Sequence, residues 1–311
     1  MISRRLREAA KRGFHTGFAA CQRLGVDVLP RHFYSQIPDV RSLRSSEGWR
    51  QPRSMYGIAG ASIEEQVGFV NEVCEREARS TPSDLYERSV AANGEDGGFG
   101  LVEAAFLYCF IRATRPRRVV QVGCGVSTAV ILEAATSVGH DIAVTCVDPF
   151  PTPYLQRLGE VDPRVSVVAE RAQDVALDVL TDLGPGDLFF MDSTHTVKPD
   201  SEVNRVVFEV LPRLDPDIWV HVHDIYFPFD YAPDLLSNDL FFWSETALLY
   251  SFLVNNPGYR LCVAQSMIHH EQPEALSRYF SHYVPRATSG GLFTDTVGEF
   301  PASLYLRSVR P

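Results

Sequence analysis

From about residue 117 onward, short apolar segments alternate with segments of helical character, and the apolar segments tend to end at glycine or aspartate. Residues 118–122, 142–147, 165–169, 187–191 and 218–222 are predicted strands. Between them, residues 126–135 have helical composition, and residues 200–214 place valine and leucine at helical spacing. Apolar strands that alternate with helices predict a parallel sheet covered on both faces.

The last part of the chain predicts an unusual end to this sheet. A helix over 241–254 is followed by strands at 259–264 and 302–307, with an irregular insertion at about 265–300. A late pair of strands with a long connection is unlike a plain dinucleotide-binding fold. We therefore predict an α/β, Rossmann-like sheet that is mostly parallel and has an antiparallel last strand.

The first hundred residues have a different character. Prolines interrupt them, glycines are concentrated near residue 100, and one helix is predicted over 62–79. We interpret residues 1–100 as a basic arm with a helical cap, and residues 101–311 as the main domain.

Charge is divided unevenly along the chain. Residues 1–53 carry a net charge of +7, whereas the remainder carries −17. The overall charge of −10 disfavours nucleic acid as a partner. The basic arm is expected to pack within the protein or within a homo-oligomer, and an anionic surface is the alternative.

The sequence also bears on location. The first residues lack a signal-peptide core, and no apolar stretch reaches the roughly 20 residues of a membrane span. The six cysteines form no CxxC pair, so we expect reduced thiols and a cytoplasmic protein.

A glycine turn follows the first predicted strand. Gly123 and Gly125 allow the backbone to approach a ligand closely, because glycine has no Cβ. The third glycine of the dinucleotide motif is missing, since Val126, Ser127 and Thr128 follow. The turn therefore favours a nucleoside that bears an amino acid over a pyrophosphate. A purely structural strand-to-helix turn is the alternative.

Polar residues follow the next two strands. Asp148 ends the second strand, where an acidic side chain can accept hydrogen bonds from both ribose hydroxyls. Gln173 and Asp174 follow the third strand, where an adenine edge is expected. The alternative for Asp148 is a helix N-cap.

Two short motifs follow the fourth and fifth strands. Asp192 and His195 lie in DSTH, and His223 and Asp224 lie in HVHD. The two aspartates suit Mg²⁺, whereas a histidine ligand suits Mn²⁺, Fe²⁺ or Zn²⁺ better. His195 is a candidate general base. For the aspartates, strand-end caps or contacts to a cofactor amino group are the alternatives. His221 is interpreted as structural and as pointing away from His223.

Aromatic residues are concentrated after the fifth strand and are candidates for the wall of an acceptor pocket. They are Tyr226, Phe227, Phe229, Tyr231 and Trp243. Packing in a lid or in the core is the alternative for each of them.

Residues 99–233 resemble the bacterial class I S-adenosylmethionine-dependent methyltransferases grouped as methyltransferase family 24, which are related to metal-dependent sugar and macrolide O-methyltransferases. The strings that carry the resemblance are GFGLVEAAFLYCFIR, RPRRVVQVGCGVSTAV, VDPFP, GDLFFMDSTHTVKPDSEVN and HVHDIYFPFDY. HFYSQIPDVR near the N-terminus is also typical.

The resemblance implies roles for individual residues. S-adenosylmethionine would contact Gln121, Gly123, Gly125, Ser127, Thr128, Asp148, Gln173, Asp174 and Asp192. Asp192, His223 and Asp224 match the metal positions of the metal-dependent relatives, His195 matches their base, and Tyr226, Tyr231 and Trp243 are candidate substrate contacts. Two positions depart from the pattern, because Gln121 and His223 stand where those relatives carry acidic residues.

We therefore predict methyl transfer to oxygen of a small natural product or a sugar-like hydroxyl, with or without a divalent metal. Two other functions stay open. One is a nicotinamide-dependent oxidoreductase, which the missing third glycine disfavours. The other is a non-catalytic scaffold that binds S-adenosylmethionine, which the Asp192, His195 and Asp224 set disfavours.

Overall fold

The computed structural model describes residues 4–94, 97–231, 241–288, 291–294 and 301–310. The chain divides into two compact units, one ending at Ser45 and one beginning at Ser46. This division lies well before the predicted boundary at residue 100. The reason is that helix α3 (Ile63–Glu77) packs against helix α5 (Leu101–Thr114) and strand β6 (Tyr259–Ala264), so the predicted cap belongs to the larger unit.

The helices of the first unit are α1 (Arg4–Gln22) and α2 (Val40–Arg44). Besides α3 and α5, the second unit contains α4 (Leu85–Ala92), α6 (Val126–Ser137), α7 (Pro153–Val161), α8 (Leu177–Leu180), α9 (Glu202–Arg205), α10 (Glu245–Leu253), α11 (Gln265–Glu271) and α12 (Glu274–Ser277). The predicted helices at 62–79 and 126–135 are confirmed as α3 and α6.

The central sheet has seven strands in the order β3-β2-β1-β4-β5-β9-β6. Besides β6, they are β1 (Arg118–Val122), β2 (Ala143–Val147), β3 (Val165–Val168), β4 (Leu188–Met191), β5 (Trp219–Val222) and β9 (Leu304–Ser308). Strands β1 to β5 pair in parallel, and β9 runs antiparallel between β5 and β6. The predicted α/β, Rossmann-like sheet with an antiparallel last strand is confirmed.

The two faces of the sheet form separate apolar cores. Val119 of β1 packs into one core together with Phe110 of α5 and Ile131 of α6. Val120, the next residue, packs into the other core, together with Phe189 of β4. Because successive strand residues point to opposite faces, both faces of β1 are apolar, as a sheet covered on both sides requires.

The segment after β4 is less regular than predicted. The expected helix over 200–214 is α9, followed by a π-helical turn at Val206–Val210 and a 3₁₀ turn at Leu211–Arg213. Pro212 lies in the last turn, and because it has no N–H it cannot continue an α-helical ladder. The helix predicted from residue 241 begins at Glu245.

The predicted insertion is partly regular. It contains α11, α12 and a hairpin of β7 (Pro285–Thr288) and β8 (Gly291–Thr294). Residues 289–290 and 295–300 of this insertion lie outside the described residues.

Two further findings concern the environment of the chain. Within the described residues, no helix combines the length and the hydropathy that a membrane span requires. All six cysteines are free thiols. A cytoplasmic location stays a prediction from the sequence.

Candidate active site

The glycine turn after β1 brings the backbone of two strands together. Gly123 has a φ of +79°, and its N–H donates to the carbonyl of Val147 at 3.1 Å. A Cβ at this position would stand 1.6 Å from the carbonyl oxygen of Asp192. Glycine is therefore required here on two grounds, the left-handed backbone and the close approach of the end of β4.

Gln121, a predicted cofactor contact, forms hydrogen bonds within the protein. Its side chain is completely buried, donates to Ser127 Oγ at 2.6 Å and accepts from Thr128 Oγ1 at 2.9 Å. Thr128 Oγ1 in turn accepts the N–H of Gly125 at 3.2 Å. These side chains are bonded to one another beneath the turn, so they fix its shape.

A groove of about 540 Å³ opens at the carboxyl ends of β1, β2 and β4, within the size range of small-molecule sites. Residues 122–123, 147–150, 171–173, 192–194, 198–200 and 202 line it. Four of the predicted cofactor residues are among them, namely Gly123, Asp148, Gln173 and Asp192. The groove lies at the strand ends where ligands bind in open α/β sheets.

The carboxylate of Asp148 is held in place by the backbone. Oδ1 accepts the N–H of Phe150 at 2.8 Å, and Oδ2 accepts the N–H of Cys124 at 3.4 Å. Asp174 differs, because it forms an exposed ion pair with Arg171 and does not line the groove. Gln173 lines the groove and donates to the carbonyl of Asp200 at 2.8 Å.

Asp192, His195, His223 and Asp224 come together beside this groove, and we call them the acid-histidine cluster. His195 Nε2 lies 3.5 Å from a carboxylate oxygen of each aspartate. His223 Nδ1 lies 3.3 Å from Asp192 and 3.7 Å from Asp224. The two motifs predicted at neighbouring strand ends therefore converge on one point.

Local structure holds the residues of the cluster in place. His195 and Asp224 both have a φ of +55°. The carbonyl of His195 accepts the N–H groups of Ser244 and Glu245, and the carboxylate of Glu202 accepts the N–H of Thr194 at 2.9 Å. The loop after β4 is thus fixed between the beginnings of α9 and α10.

Two buried glutamates complete the arrangement. Glu245 Oε2 lies 2.9 Å from His195 Nδ1, and Glu103 Oε2 lies 3.0 Å from His223 Nε2. Glu103 also accepts hydrogen bonds from Ala302 N at 2.9 Å and Ser303 Oγ at 2.8 Å. Neither glutamate was predicted from the sequence. A lone acidic residue in an otherwise apolar segment, as in VEAAF and SETALL, was the available signal.

Burial and charge act in opposite directions on the pKa values of the cluster. Burial by itself would lower the pKa of His195, but the hydrogen bonds to Asp192 and Glu245 and the charge of Asp224 outweigh it and raise that pKa to about 10. Burial likewise opposes ionisation of Asp192, yet the neighbouring imidazoles bring its pKa well below the ordinary value. Burial raises the pKa of Asp224.

His221 lies on the same face of the sheet as His223, not on the opposite face as we expected. Residues two apart in a strand share a face, and the two rings are 6.4 Å apart between centroids. His221 is completely buried, stacks on Phe190 and lies with Nε2 3.0 Å from Ser303 Oγ. Its interpretation as a structural residue agrees with these contacts.

The predicted aromatic residues divide into two groups. Trp243 lies 4.7 Å from the His195 ring and stacks on Phe241, and Tyr226 packs with Trp243 and donates to Asp224 Oδ1 at 3.0 Å. These two predicted substrate residues border the acid-histidine cluster. Within the described residues, Tyr231 forms no hydrogen bond or ring contact with the cluster, and Phe227 is completely buried in the core.

Comparison with known proteins places this geometry in context. An uncharacterised protein of Archaeoglobus fulgidus is 26% identical over 198 residues, which cover 61% of this chain and 86% of that protein. An SAH-bound methyltransferase from Podospora anserina is 14% identical, with a TM-score of 0.42 over 92% of this chain and 100% of that one. A branched-chain polyamine synthase from Thermus thermophilus, in complex with N4-aminopropylspermidine and 5′-methylthioadenosine, is 15% identical, with a TM-score of 0.45 over 75% of this chain and 66% of that one.

One family matches the segment that carries the site. Residues 120–225 match the methyltransferase domain family. This segment runs from β1 to just beyond β5 and includes the glycine turn, Asp148 and the whole acid-histidine cluster. Over residues 120–225 the chain is therefore similar to this methyltransferase domain family.

Proposed function

We propose that this protein is an S-adenosylmethionine-dependent methyltransferase that methylates a hydroxyl of a small natural product or a sugar-like compound. One observation carries the proposal: Asp192 both lines the groove and belongs to the acid-histidine cluster. A nucleoside-sized groove and a cluster of acid and base groups thus share a residue, as transfer between a bound donor and a neighbouring acceptor requires.

The groove residues fit the donor. S-adenosylmethionine, when bound, supplies a methyl group on a sulfonium centre for in-line displacement by the acceptor oxygen. Asp148 is oriented by two backbone N–H groups and offers oxygens to the ribose hydroxyls. Gly123 also lines the groove, and its missing Cβ admits the backbone of Asp192 at the end of β4. Gln173 also lines the groove, and we place the adenine edge beside it.

The acid-histidine cluster fits a divalent cation. The side chains of its two aspartates remain about one-fifth exposed, whereas those of the histidines are almost fully buried. The carboxylates are therefore the part of the cluster that an acceptor can reach from solvent. A cation held by Asp192, His223 and Asp224 would lower the pKa of the acceptor hydroxyl. Trp243 and Tyr226 border the same space and are proposed to orient the acceptor. His195 remains a candidate base.

Calorimetric titration with S-adenosylhomocysteine, in the presence of Mg²⁺, Mn²⁺ or chelator, tests donor and metal together. Binding that requires Asp148 supports the proposal. Mass spectrometry of a panel of small hydroxyl compounds, incubated with S-adenosylmethionine, then tests transfer to oxygen. No binding of S-adenosylhomocysteine under any of these conditions would overturn the proposal.

The same titration separates the alternatives. The antiparallel β9, inserted between β5 and β6, disfavours a nicotinamide-dependent oxidoreductase. NAD titrated beside S-adenosylhomocysteine is therefore expected to show no binding. A non-catalytic scaffold would bind S-adenosylhomocysteine but would transfer no methyl group. Its binding of S-adenosylhomocysteine would be unchanged after substitution of His195 or Asp224.

We also propose a homo-oligomer formed through the basic N-terminal arm. Residues 1–53 carry a net charge of +7 against −17 for the remainder, so the arm of one copy complements the body of another. Several apolar side chains of the arm are exposed, including Leu24, Phe33 and Tyr34. Exposed apolar side chains beside basic ones are typical of a surface that a partner covers.

A further inference from the structure

We propose that the acid-histidine cluster is a two-histidine, two-carboxylate centre selective for a divalent ion of the Mn²⁺ to Zn²⁺ series over Mg²⁺, with His195 as a ligand and not as the base. This inference rests on the metal site of the proposed function and deepens it. It does not depend on methyl transfer, because metal binding can be measured without any acceptor.

The donor atoms already face one another. One ligand atom each from Asp192, His195 and His223 lies within 4.8 Å of the others. Asp224 Oδ2 joins them, 3.5 Å from His195 Nε2 and 3.7 Å from His223 Nδ1. These separations are the ones expected of groups that surround a common ion and do not bond directly to each other.

The orientation of His223 is an independent sign of a ligand. Its side chain is 95% or more buried, and Nδ1 forms no hydrogen bond of normal geometry to any residue that the structure describes. This nitrogen lies 3.3 Å from Asp192 Oδ1. A buried, unbonded nitrogen is costly unless something binds it, and a cation between His223 and Asp192 would satisfy both groups.

Each imidazole is held from behind by a glutamate. Glu245 contacts Nδ1 of His195, which leaves Nε2 for the cluster, and Glu103 contacts Nε2 of His223, which leaves Nδ1. A metal-binding histidine typically donates its other N–H to a carboxylate, which fixes the tautomer and increases the basicity of the ligand. The same arrangement occurs twice here, on two different elements of the fold.

The donor types select the metal. Mg²⁺ favours oxygen ligands and water, whereas imidazole nitrogen favours Mn²⁺, Fe²⁺, Co²⁺, Ni²⁺ and Zn²⁺. Two imidazoles in a set of four therefore disfavour Mg²⁺. The two aspartates and the two glutamates provide four carboxylates in a small and largely buried volume, and a divalent cation offsets that charge.

The same contacts argue against His195 as the base. A base must present a free nitrogen to the substrate hydroxyl. In His195, Nδ1 faces Glu245 and Nε2 faces the two aspartates. The carbonyl of the same residue is bonded to Ser244 N and Glu245 N, so the loop does not turn freely. Both ring nitrogens are thus used inside the cluster.

Cobalt(II) provides a direct test on the full-length protein. Chelator-treated protein is titrated with CoCl₂ and followed by visible absorption, which reports nitrogen ligands, and Mg²⁺ is then added in large excess. We expect the cobalt bands to persist in roughly a hundredfold excess of Mg²⁺. We expect His195→Asn, His223→Asn and Glu245→Gln each to weaken Co²⁺ binding by about tenfold or more.

The matched control is His140→Asn. His140 lies just before the amino end of β2, whereas the cluster follows the carboxyl ends of β4 and β5. Its ring lies 2.8 Å from the carbonyl of Pro116. We expect its loss to leave the cobalt spectrum unchanged. Displacement of cobalt by an equal concentration of Mg²⁺, or wild-type cobalt binding by folded His195→Asn, would overturn the inference. Circular dichroism shows whether each variant is folded, and Glu245→Gln keeps the test decisive if a histidine variant is not.

Failure of this inference is distinguishable from failure of the proposed function. S-adenosylhomocysteine is titrated into the same samples. Binding of S-adenosylhomocysteine with no preference for cobalt rejects the metal selectivity alone. Cobalt binding without binding of S-adenosylhomocysteine rejects the methyltransferase proposal and leaves the metal centre in place.

Discussion

The carbonyl oxygen of Asp192 occupies the position where a side chain on Gly123 would begin, because a Cβ there would stand only 1.6 Å away. Gly123→Ala must therefore separate β1 from β4 or distort the turn. We expect S-adenosylhomocysteine affinity to fall by more than about tenfold and stability to fall by roughly 2 kcal/mol or more, since collision and left-handed strain add. Calorimetry and urea unfolding measure the two effects.

Gly186→Ala is the matched control for this variant. Gly186 also has a positive φ, of +87°, but an added Cβ would meet no atom within 4 Å. We expect Gly186→Ala to lose only the stability that left-handed backbone strain costs, about 1–2 kcal/mol. Its affinity for S-adenosylhomocysteine should be unchanged. Equal losses in the two variants would show that the contact with Asp192 is unimportant.

A second prediction concerns Gln121, which bonds Ser127 and Thr128 beneath the turn. Gln121→Leu leaves both hydroxyl groups without this partner, so we expect stability to fall by about 1–3 kcal/mol. Affinity for S-adenosylhomocysteine should change by less than about tenfold in the folded protein, since both ends of the amide are bonded to Ser127 and Thr128. Gln66→Leu is the control, because Gln66 is also completely buried and accepts the N–H of Ala264 far from the groove. A large loss of affinity at unchanged stability would restore the direct contact predicted from the sequence.

The third prediction concerns acid stability. Burial and the charge of His269 lower the pKa of His270 from 6.5 to about 4. His270 is therefore neutral in the folded protein, while the unfolded chain takes up a proton as the pH falls below 6.5. Its contribution to stability is complete above pH 6.5 and is lost as the pH falls from there to about 4.

Urea unfolding at about pH 7.5 and about pH 5 measures this loss, which we expect to be on the order of 2 kcal/mol. His270→Phe removes the titrating group and keeps a ring against Phe229, which the His270 ring contacts at 4.6 Å. The variant should lose less stability on acidification than the wild type. An identical loss in both proteins would contradict the assignment.

Local sequence patterns predicted much of the fold, and β1 and β6 are examples. Both strands span the predicted residues, 118–122 and 259–264, because a short and mainly apolar segment indicates a strand. The break after α9 was not predictable from spacing, since a π-helical turn preserves nearly the same apolar face. The compact unit that begins at Ser46 was not predictable either, because the packing of α3 on β6 joins residues almost 200 positions apart.

The acid-histidine cluster was predictable from the sequence, but the two glutamates behind it were not. Asp192, His195, His223 and Asp224 follow strands whose ends must meet, so their convergence follows from the topology. Glu103 lies 120 residues from His223, and Glu245 lies 50 residues from His195. Only tertiary packing brings these pairs together, and nothing in the spacing of the two motifs indicates it.

A fourth prediction follows from the charge of the arm. If complementary charge joins the subunits, sedimentation velocity should show an oligomer at about 0.05 M NaCl and a shift toward monomer at about 0.5 M. Phe33, which is 94% exposed, provides a variant that leaves the charge intact. Phe33→Ser should weaken association at both salt concentrations if apolar contact contributes. A monomer under all conditions would contradict the proposed oligomer.

The last prediction compares two aspartates that the sequence analysis assigned to the same ligand. Asp148 lines the groove with its carboxylate held by Phe150 N and Cys124 N, whereas Asp174 does not line the groove and forms an exposed pair with Arg171, which does. Asp148→Asn keeps the shape but replaces one acceptor oxygen by a donor, so it should lower affinity for S-adenosylhomocysteine by about tenfold or more. Asp174→Asn should leave that affinity nearly unchanged, because its exposed ion pair contributes little. Calorimetry measures the affinity of both variants for S-adenosylhomocysteine. Equal losses of affinity would show that Asp148 does not hold the ribose.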